Sequence, residues 1–225
     1  LDPNAVCKNI TVFLDGTGNV AVLPGDVDNG STDNCGAPTL SFSSGASINF
    51  TCAEVGPNTV TLIATDGSGN IDSCSATVTV RDTVLPTAVC QNISVGLDPV
   101  TGLVTVPATA IDGGSTDNCS ISTLLINGAP NANFSCTDVG ANNVTLTVID
   151  INTNISTCSA VVTVLDTTAP AMVCQNLTVQ LDPAGNFTIT PADVDGGSTD
   201  NCAIATLTIN GQASITYTCA EIGVN

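Results

Sequence analysis

The chain has no histidine and no tryptophan, and only two cations, Lys8 and Arg81, stand against twenty carboxylates. Each scarcity closes a class of function. Without histidine the ordinary general base of neutral-pH catalysis is missing, and structural zinc sites lose a usual ligand. With two cations, nothing can neutralise the phosphates of a nucleic acid or hold an anionic membrane surface. Five Phe and one Tyr are all the aromatics. That is too few for the platforms that line sugar clefts, which weighs against a paired-carboxylate glycosidase. Neither a Gly-x-Ser-x-Gly elbow nor a phosphate-binding loop occurs. The chain therefore reads as non-enzymatic. No apolar run approaches the roughly 18 residues of a membrane helix. The start carries no export signal, so a mature or partial polypeptide is expected.

Cysteine, by contrast, is abundant: eleven residues in 225. Many Cys without His, and without the Cys-x-x-Cys pairs of zinc sites, indicates a disulfide framework in an oxidising compartment, hence an extracellular or cell-surface location. A net charge of −18 would usually signal disorder. Alternating runs of Val, Ile, Leu and Thr argue for a packed β structure instead. Either the charges are spread over a long object or a cation sits among them.

The chain repeats itself. Ser31-Thr32-Asp33-Asn34-Cys35 returns as Ser115 to Cys119 and as Ser198 to Cys202, so that Cys35, Cys119 and Cys202 lie 84 and 83 residues apart. Cys7, Cys90 and Cys174 keep the same period, as do Cys52, Cys136 and Cys219; Cys74 and Cys158 complete two sets of four. Three repeats are expected, over residues 1–82, 83–166 and 167–225, the third lacking its last two strands. The missing strands would belong to a longer polypeptide or come from another subunit.

Short alternating runs at Ile10 to Leu14, Val20 to Leu23, Leu40 to Phe42, Ile48 to Cys52, Thr59 to Thr65 and Ser75 to Val80 are separated by Gly, Asn, Asp and Ser clusters. No segment has a helical period. This pattern predicts an all-β chain of tandem Ig-like β-sandwich repeats, with two disulfides per repeat. A core of Val, Leu and Ala in about 83 residues is small, and small domains need staples. In an Ig-like sandwich the first and last strands run parallel as neighbours, so Cys7 should meet Cys74 and Cys90 should meet Cys158. If the third and fourth strands form an antiparallel unit, Cys35 should meet Cys52, Cys119 should meet Cys136, and Cys202 should meet Cys219, leaving Cys174 unpaired. Each bridge should stabilise by about 2–4 kcal/mol.

The pattern Val-Cys-Lys/Gln-Asn-Ile/Leu (Val6 to Ile10, Val89 to Ile93, Val173 to Leu177) is followed by Gly-Ser-Thr-Asp-Asn-Cys. An Asp-x-x-x-Asn step (Asp66 to Asn70, Asp150 to Asn154) and a Val-Thr-Val-x-Asp-x-x-x-Pro linker (Val78 to Pro86) complete it. Over the whole chain this resembles the HYR, or hyalin-type, repeat of very large bacterial surface and secreted proteins. The resemblance implies an Ig-like fold and a role in adhesion or cell-surface architecture. One departure stands out: Leu1 to Cys7 is three residues shorter than Leu165 to Cys174.

The acids fall in loops, in columns that recur, with Asp26, Asp72 and Asp193 outside them. Stacking the repeats end to end should bring Asp15, Glu54 and Asp82 towards Asp112, Asp117 and Asp150, and Asp98, Asp138 and Asp166 towards Asp195 and Asp200. Asp2, Asp28, Asp33 and Asp66 occupy the same columns in the first repeat and are counted as metal candidates too. Converging carboxylates repel unless a cation joins them. Calcium, which takes six to eight oxygens in irregular geometry, is the expected ion. Asn34, Asn70, Asn118, Asn154 and Asn201 offer neutral oxygens. The function this predicts is a structural subunit of an extracellular filament or surface fibre, stiffened by Ca2+ and disulfides, whose partners are copies of itself or further repeats of the same chain. An adhesin-type module recognising glycan or protein is the alternative, though no repeat carries the aromatic or basic patch it would want. Ten Asn-x-Ser/Thr sequons are read as the by-product of an Asn-, Ser- and Thr-rich composition.

Overall fold

The computed structural model describes residues 1–223. The strands of the first repeat are β1 (Ile10–Phe13), β2 (Asn19–Val22), β3 (Thr39–Phe42), β4 (Ile48–Thr51), β5 (Gly56–Thr65) and β6 (Ile71–Arg81). Those of the second are β7 (Ile93–Gly96), β8 (Leu103–Pro107), β9 (Ile121–Ile126), β10 (Asn131–Ser135), β11 (Gly140–Asp150) and β12 (Ile155–Leu165). Then come β13 (Asn186–Ile189) and β14 (Ile215–Thr218). Two compact units form. One holds residues 1–91, 107–130 and 144–160; the other holds 92–106, 131–143 and those from 161 onward.

In the first unit one sheet has the order β1-β6-β5-β3, and β2 pairs with β4 in a second. The long strands β5 and β6 alternate strictly. Val60, Leu62 and Ala64 of one, and Ala76, Val78 and Val80 of the other, are buried, while Thr61, Ile63, Thr77 and Thr79 between them are only partly so. This is the period-2 pattern of a sheet with one wet face. They pair antiparallel from Gly56↔Val80 to Thr65↔Ile71. β1 runs parallel to β6, Ile10 opposite Val78. A first strand parallel to the last, with β2–β4 as the opposing layer, makes an Ig-like sandwich. Leu14, Val22, Val27, Phe42 and Phe50 join the β5 and β6 residues in its core. In the same unit β9 pairs antiparallel with β11, Ile126 opposite Leu146.

The second unit repeats these relations. β7 runs parallel to β12, Ile93 opposite Val162; β8 pairs with β10; and β13 pairs antiparallel with β14, Asn186 opposite Thr218.

Two findings depart from the sequence reading. The first is helical: one-turn helices at Pro24–Val27 and Pro191–Val194. Both are too short to show a period. Each is set by a proline at its start, whose fixed φ suits a first helical position, and by an acid that caps it. The Asp26 carboxylate accepts from the Leu23 N–H at 2.8 Å, and that of Asp193 from the Thr190 N–H at 2.8 Å. Asp26 and Asp193 are thus counterparts and not isolated acids. The matching segment of the second repeat, Ala108–Ala110, is a 3-10 turn without an acid.

The second departure concerns the bridges. Cys7–Cys74 and Cys90–Cys158 form as expected. The other expected pairs, Cys35–Cys52, Cys119–Cys136 and Cys202–Cys219, do not. Instead Cys52 bonds Cys119 and Cys136 bonds Cys202, while Cys35, Cys174 and Cys219 are free and exposed. The reason is topological. β3 pairs with β5 and β4 with β2, so the third and fourth strands lie in different sheets. Both run in the same direction. A cysteine before β3 and one after β4 therefore sit at opposite ends of the sandwich. Cys52 faces the β1–β2 turn, its Sγ 3.8 Å from the Gly18 carbonyl, and there meets the loop that precedes β9.

Candidate metal centre

Three carboxylates of the first unit converge: Asp82, Asp117 and Asp150 each offer an oxygen within 4.8 Å of the others. Asp82 directly follows β6, and Asp150 is the last residue of β11. Asp117 lies in the β8–β9 loop. That loop is anchored by the Cys52–Cys119 bridge and by a pair of backbone hydrogen bonds between Thr87 and Thr116, at 2.7 and 3.1 Å.

Asp82 and Asp150 are the two buried acids, 7 % and 1 % exposed. Backbone and amide donors take part of each carboxylate. Asp150 Oδ1 accepts from the N–H groups of Asn152 and Asn154 at 2.8 and 2.7 Å, and its Oδ2 from Asn154 Nδ2 at 2.7 Å. Asp82 Oδ1 accepts from the Val84 N–H at 3.1 Å and from Asn118 Nδ2 at 3.2 Å. Asp117 Oδ2 accepts from the N–H groups of Cys119 and Ser120 at 2.8 and 3.2 Å. What remains is a set of buried oxygens with no donor: Asp82 Oδ2, Asp117 Oδ1, Asn118 Oδ1 and Asn152 Oδ1.

Leaving a buried acceptor unsatisfied costs about 1–3 kcal/mol, more when it is charged. Two of these oxygens belong to the three mutually repelling carboxylates and two to neighbouring amides, a set that positive charge would satisfy. A hard cation bound through oxygen fits that donor set; a soft one, which prefers sulfur or imidazole, does not.

Half of the six acids expected here are elsewhere engaged. Asp15 contributes only its backbone carbonyl, which accepts from Asn118 Nδ2 at 3.1 Å. Its carboxylate serves its own turn and is held below the ordinary range by the Thr17 hydroxyl and then by the backbone N–H groups of Asn19 and Thr17. Glu54 caps the 3-10 turn Cys52–Glu54 and is lowered first by the Thr51 hydroxyl. Asp112 accepts from the N–H and hydroxyl of Ser115. Asn118 and Asn154 touch the cluster through their amide N–H groups, which donate to Asp82 and Asp150. Asn152, whose N–H donates to Asp150 and whose Oδ1 is buried without a donor, is a neighbour that the sequence reading missed.

In the second unit the acids engage locally. Asp98 serves its own turn, lowered first by the Thr101 N–H. Asp138 caps Cys136–Asp138; Asp166 accepts from the Thr168 N–H; Asp195 is held low by the Ser198 hydroxyl; and Asp200 accepts from the Cys202 N–H. Asn201 repeats the part of Asn118: its Nδ2 lies 3.4 Å from the Asp98 carbonyl and its Oδ1 is buried without a donor. Asp2, Asp28, Asp33 and Asp66 are likewise not gathered. Asp2 is exposed, Asp28 binds Ser31, and Asp66 binds the Asn70 amide, which lowers it. Asp33 Oδ1 is buried and without a donor. Asp82–Asp117–Asp150 is the one acidic cluster of metal-binding compactness among the described residues.

No family model and no curated protein matches the chain. Among solved structures, the extracellular cadherin domains 1–4 of protocadherin gamma B7 are 14 % identical with a TM-score of 0.33, over 87 % of this chain and 60 % of that one. Human mucin-like protocadherin EC1-2 is also 14 % identical, with a TM-score of 0.35 over 73 % of this chain and 98 % of that one. The Z1Z2 domains of titin in complex with telethonin are 15 % identical, with a TM-score of 0.28 over 75 % and 98 %. The chain thus spans less than two thirds of the protocadherin gamma B7 structure. These are distant likenesses, and the Ig-like assignment rests on strand order and register.

Proposed function

We propose that the protein is a structural component of an extracellular filament or surface fibre, built of hyalin-type Ig-like repeats that are joined by disulfides and stiffened by calcium. The observation that carries this reading is the convergence of Asp82, Asp117 and Asp150, with Asp82 Oδ2 and Asp117 Oδ1 buried without a donor. Calcium accepts carboxylate and amide oxygens at 2.3–2.6 Å in irregular shells, whereas magnesium demands a stricter octahedron and more water.

The mechanism is mechanical. Asp82 follows the last strand of the first repeat, and Asp117 and Asp150 come from two loops of the next. An ion bound to all three ties the linker to both loops. The Cys52–Cys119 bridge ties the same two repeats at the β1–β2 turn. Without the ion, carboxylate repulsion opposes the covalent tie; with it, both act together. Four disulfides support an oxidising, extracellular setting. The lack of histidine and the shortage of aromatics support a non-catalytic role. The partners would be copies of the chain or further repeats of the same kind.

The test is electron microscopy of the native material with and without a calcium chelator. Fibres should become more curved once calcium is removed and recover when it returns. Fibres of unchanged straightness would refute the stiffening role.

A further inference from the structure

Three cysteines are free, and two of them have counterparts in the bridges that join one repeat to the next. Cys35 occupies the position of Cys119 and Cys202, the receiving halves of the bridges Cys52–Cys119 and Cys136–Cys202. Cys219 occupies the position of Cys52 and Cys136, the giving halves. The local geometry is the same in each case. The Cys35 N–H donates to Asp33 Oδ2 at 2.9 Å, as the Cys119 N–H does to Asp117 Oδ2 at 2.8 Å and the Cys202 N–H to Asp200 Oδ1 at 2.9 Å. The Cys219 sulfur lies 3.8 Å from the Gly185 carbonyl, as that of Cys52 lies 3.8 Å from Gly18 and that of Cys136 lies 3.7 Å from Gly102. Gly185, like Gly18 and Gly102, has a left-handed φ, and a Cβ there would stand 2.8 Å from the Cys219 sulfur.

A second observation marks the Cys35 side. Asp33 Oδ1 is buried and has no donor, as is Asp117 Oδ1, whose carboxylate lies against Asp82 and Asp150. The loop around Cys35 therefore shows the same unmet need as a loop already seated against a neighbouring repeat.

We propose that Cys35 and Cys219 are the two outward halves of the inter-repeat disulfide. Cys35 bonds a cysteine placed like Cys52 on a preceding repeat, and Cys219 bonds one placed like Cys119 on a following repeat. The first and third repeats are thereby linked covalently to their outer neighbours by the bond that links them to the second, whether or not calcium is bound. Each bond forms by oxidation of two thiols. A small-molecule or enzyme disulfide accepts the two electrons and two protons and leaves as its dithiol. Cys174 differs. It matches Cys7 and Cys90, whose partners Cys74 and Cys158 lie on strand β6 or β12 of the same sandwich.

Peptide mapping of the native protein by mass spectrometry, without reduction and in chelator, tests this. Thiol labelling at Cys35 and Cys219 should be lost unless the sample is first reduced. The Cys35 peptide should be bonded to one with a cysteine two residues before an acid, and the Cys219 peptide to a Ser-Thr-Asp-Asn-Cys peptide. A direct Cys219–Cys35 pair identifies a second copy of this chain; other peptides with those motifs identify further repeats. Free thiols at both positions, or symmetric Cys35–Cys35 and Cys219–Cys219 pairs, would overturn the proposal. Because chelator is present throughout, failure here is separate from failure of the calcium reading.

Discussion

The contact made by Asp82, Asp117 and Cys119 and the contact made by Asp166, Asp200 and Cys202 start from nearly the same sequence and end differently. Both carry the bridge, Cys52–Cys119 in one and Cys136–Cys202 in the other, with Cα atoms 5.4 and 5.2 Å apart. Both set an asparagine amide near the carbonyl of a turn aspartate, Asn118 on Asp15 and Asn201 on Asp98. The first also gathers a third carboxylate, Asp150, at the end of β11. The lesson is that the bridge and the carboxylates draw on different pieces of chain. The bridge uses the loop before β9, and the carboxylates come from that loop and from the ends of β6 and β11.

The largest effect should come from the feature the two contacts share. Replacing Cys52 and Cys119 together by Ala should lower stability by about 2–4 kcal/mol, read as a shift in denaturant midpoint. The Cys136/Cys202 pair should cost a similar amount, and a loss confined to one pair would break the equivalence. The next effect should separate the contacts. In calcium at a hundredfold excess over its dissociation constant, the first should gain about 2.7 kcal/mol. Asp117→Asn should abolish that gain, seen as loss of the calcium-dependent rise in Tm, while Asp200→Asn should leave it unchanged. Without calcium, Asp117→Asn should be neutral or slightly stabilising, since it relieves repulsion.

Smaller still is the cost of Gly18→Ala or Gly102→Ala. Left-handed backbone alone costs roughly 1–2 kcal/mol in a residue with a side chain. The new Cβ would also stand 2.7 Å from the Cys52 sulfur or 2.8 Å from that of Cys136. Thermal melts of both variants should fall together. The smallest effect concerns pH. The Glu54 carboxyl is lowered in the folded chain, first by the Thr51 hydroxyl. Its contribution is therefore present above the unfolded value and is lost as pH falls through the folded one. Glu54→Gln should flatten the acid limb of a stability–pH curve slightly and leave neutral stability little changed.

Much of this was legible in the sequence. Strict alternation in Val60 to Ala64 and Ala76 to Val80 gave the long strands, and the parallel meeting of first and last strands gave Cys7–Cys74. The Cys52 partner was not legible, because it depends on which sheet β3 and β4 join, and their four-residue runs say nothing about that. Of the acidic cluster, the recurring columns indicated Asp82, Asp117 and Asp150 but could not distinguish them from Asp15, Glu54 and Asp112. Those three are drawn off by hydroxyl and backbone donors two to four residues away, a competition that spacing alone does not reveal. Asn152 was hidden because the first repeat has Ser68 in its place. Asp2 was included although it lies three residues nearer its cysteine than Asp82 does, and the structure leaves it exposed.

The most direct test of the cation site is an anomalous-scattering map from crystals of the chain grown in calcium. The account predicts one strong peak bounded by Asp82 Oδ2, Asp117 Oδ1 and Asp150, with oxygens at about 2.3–2.6 Å. Ordered water there at saturating calcium, with no anomalous signal, would contradict it.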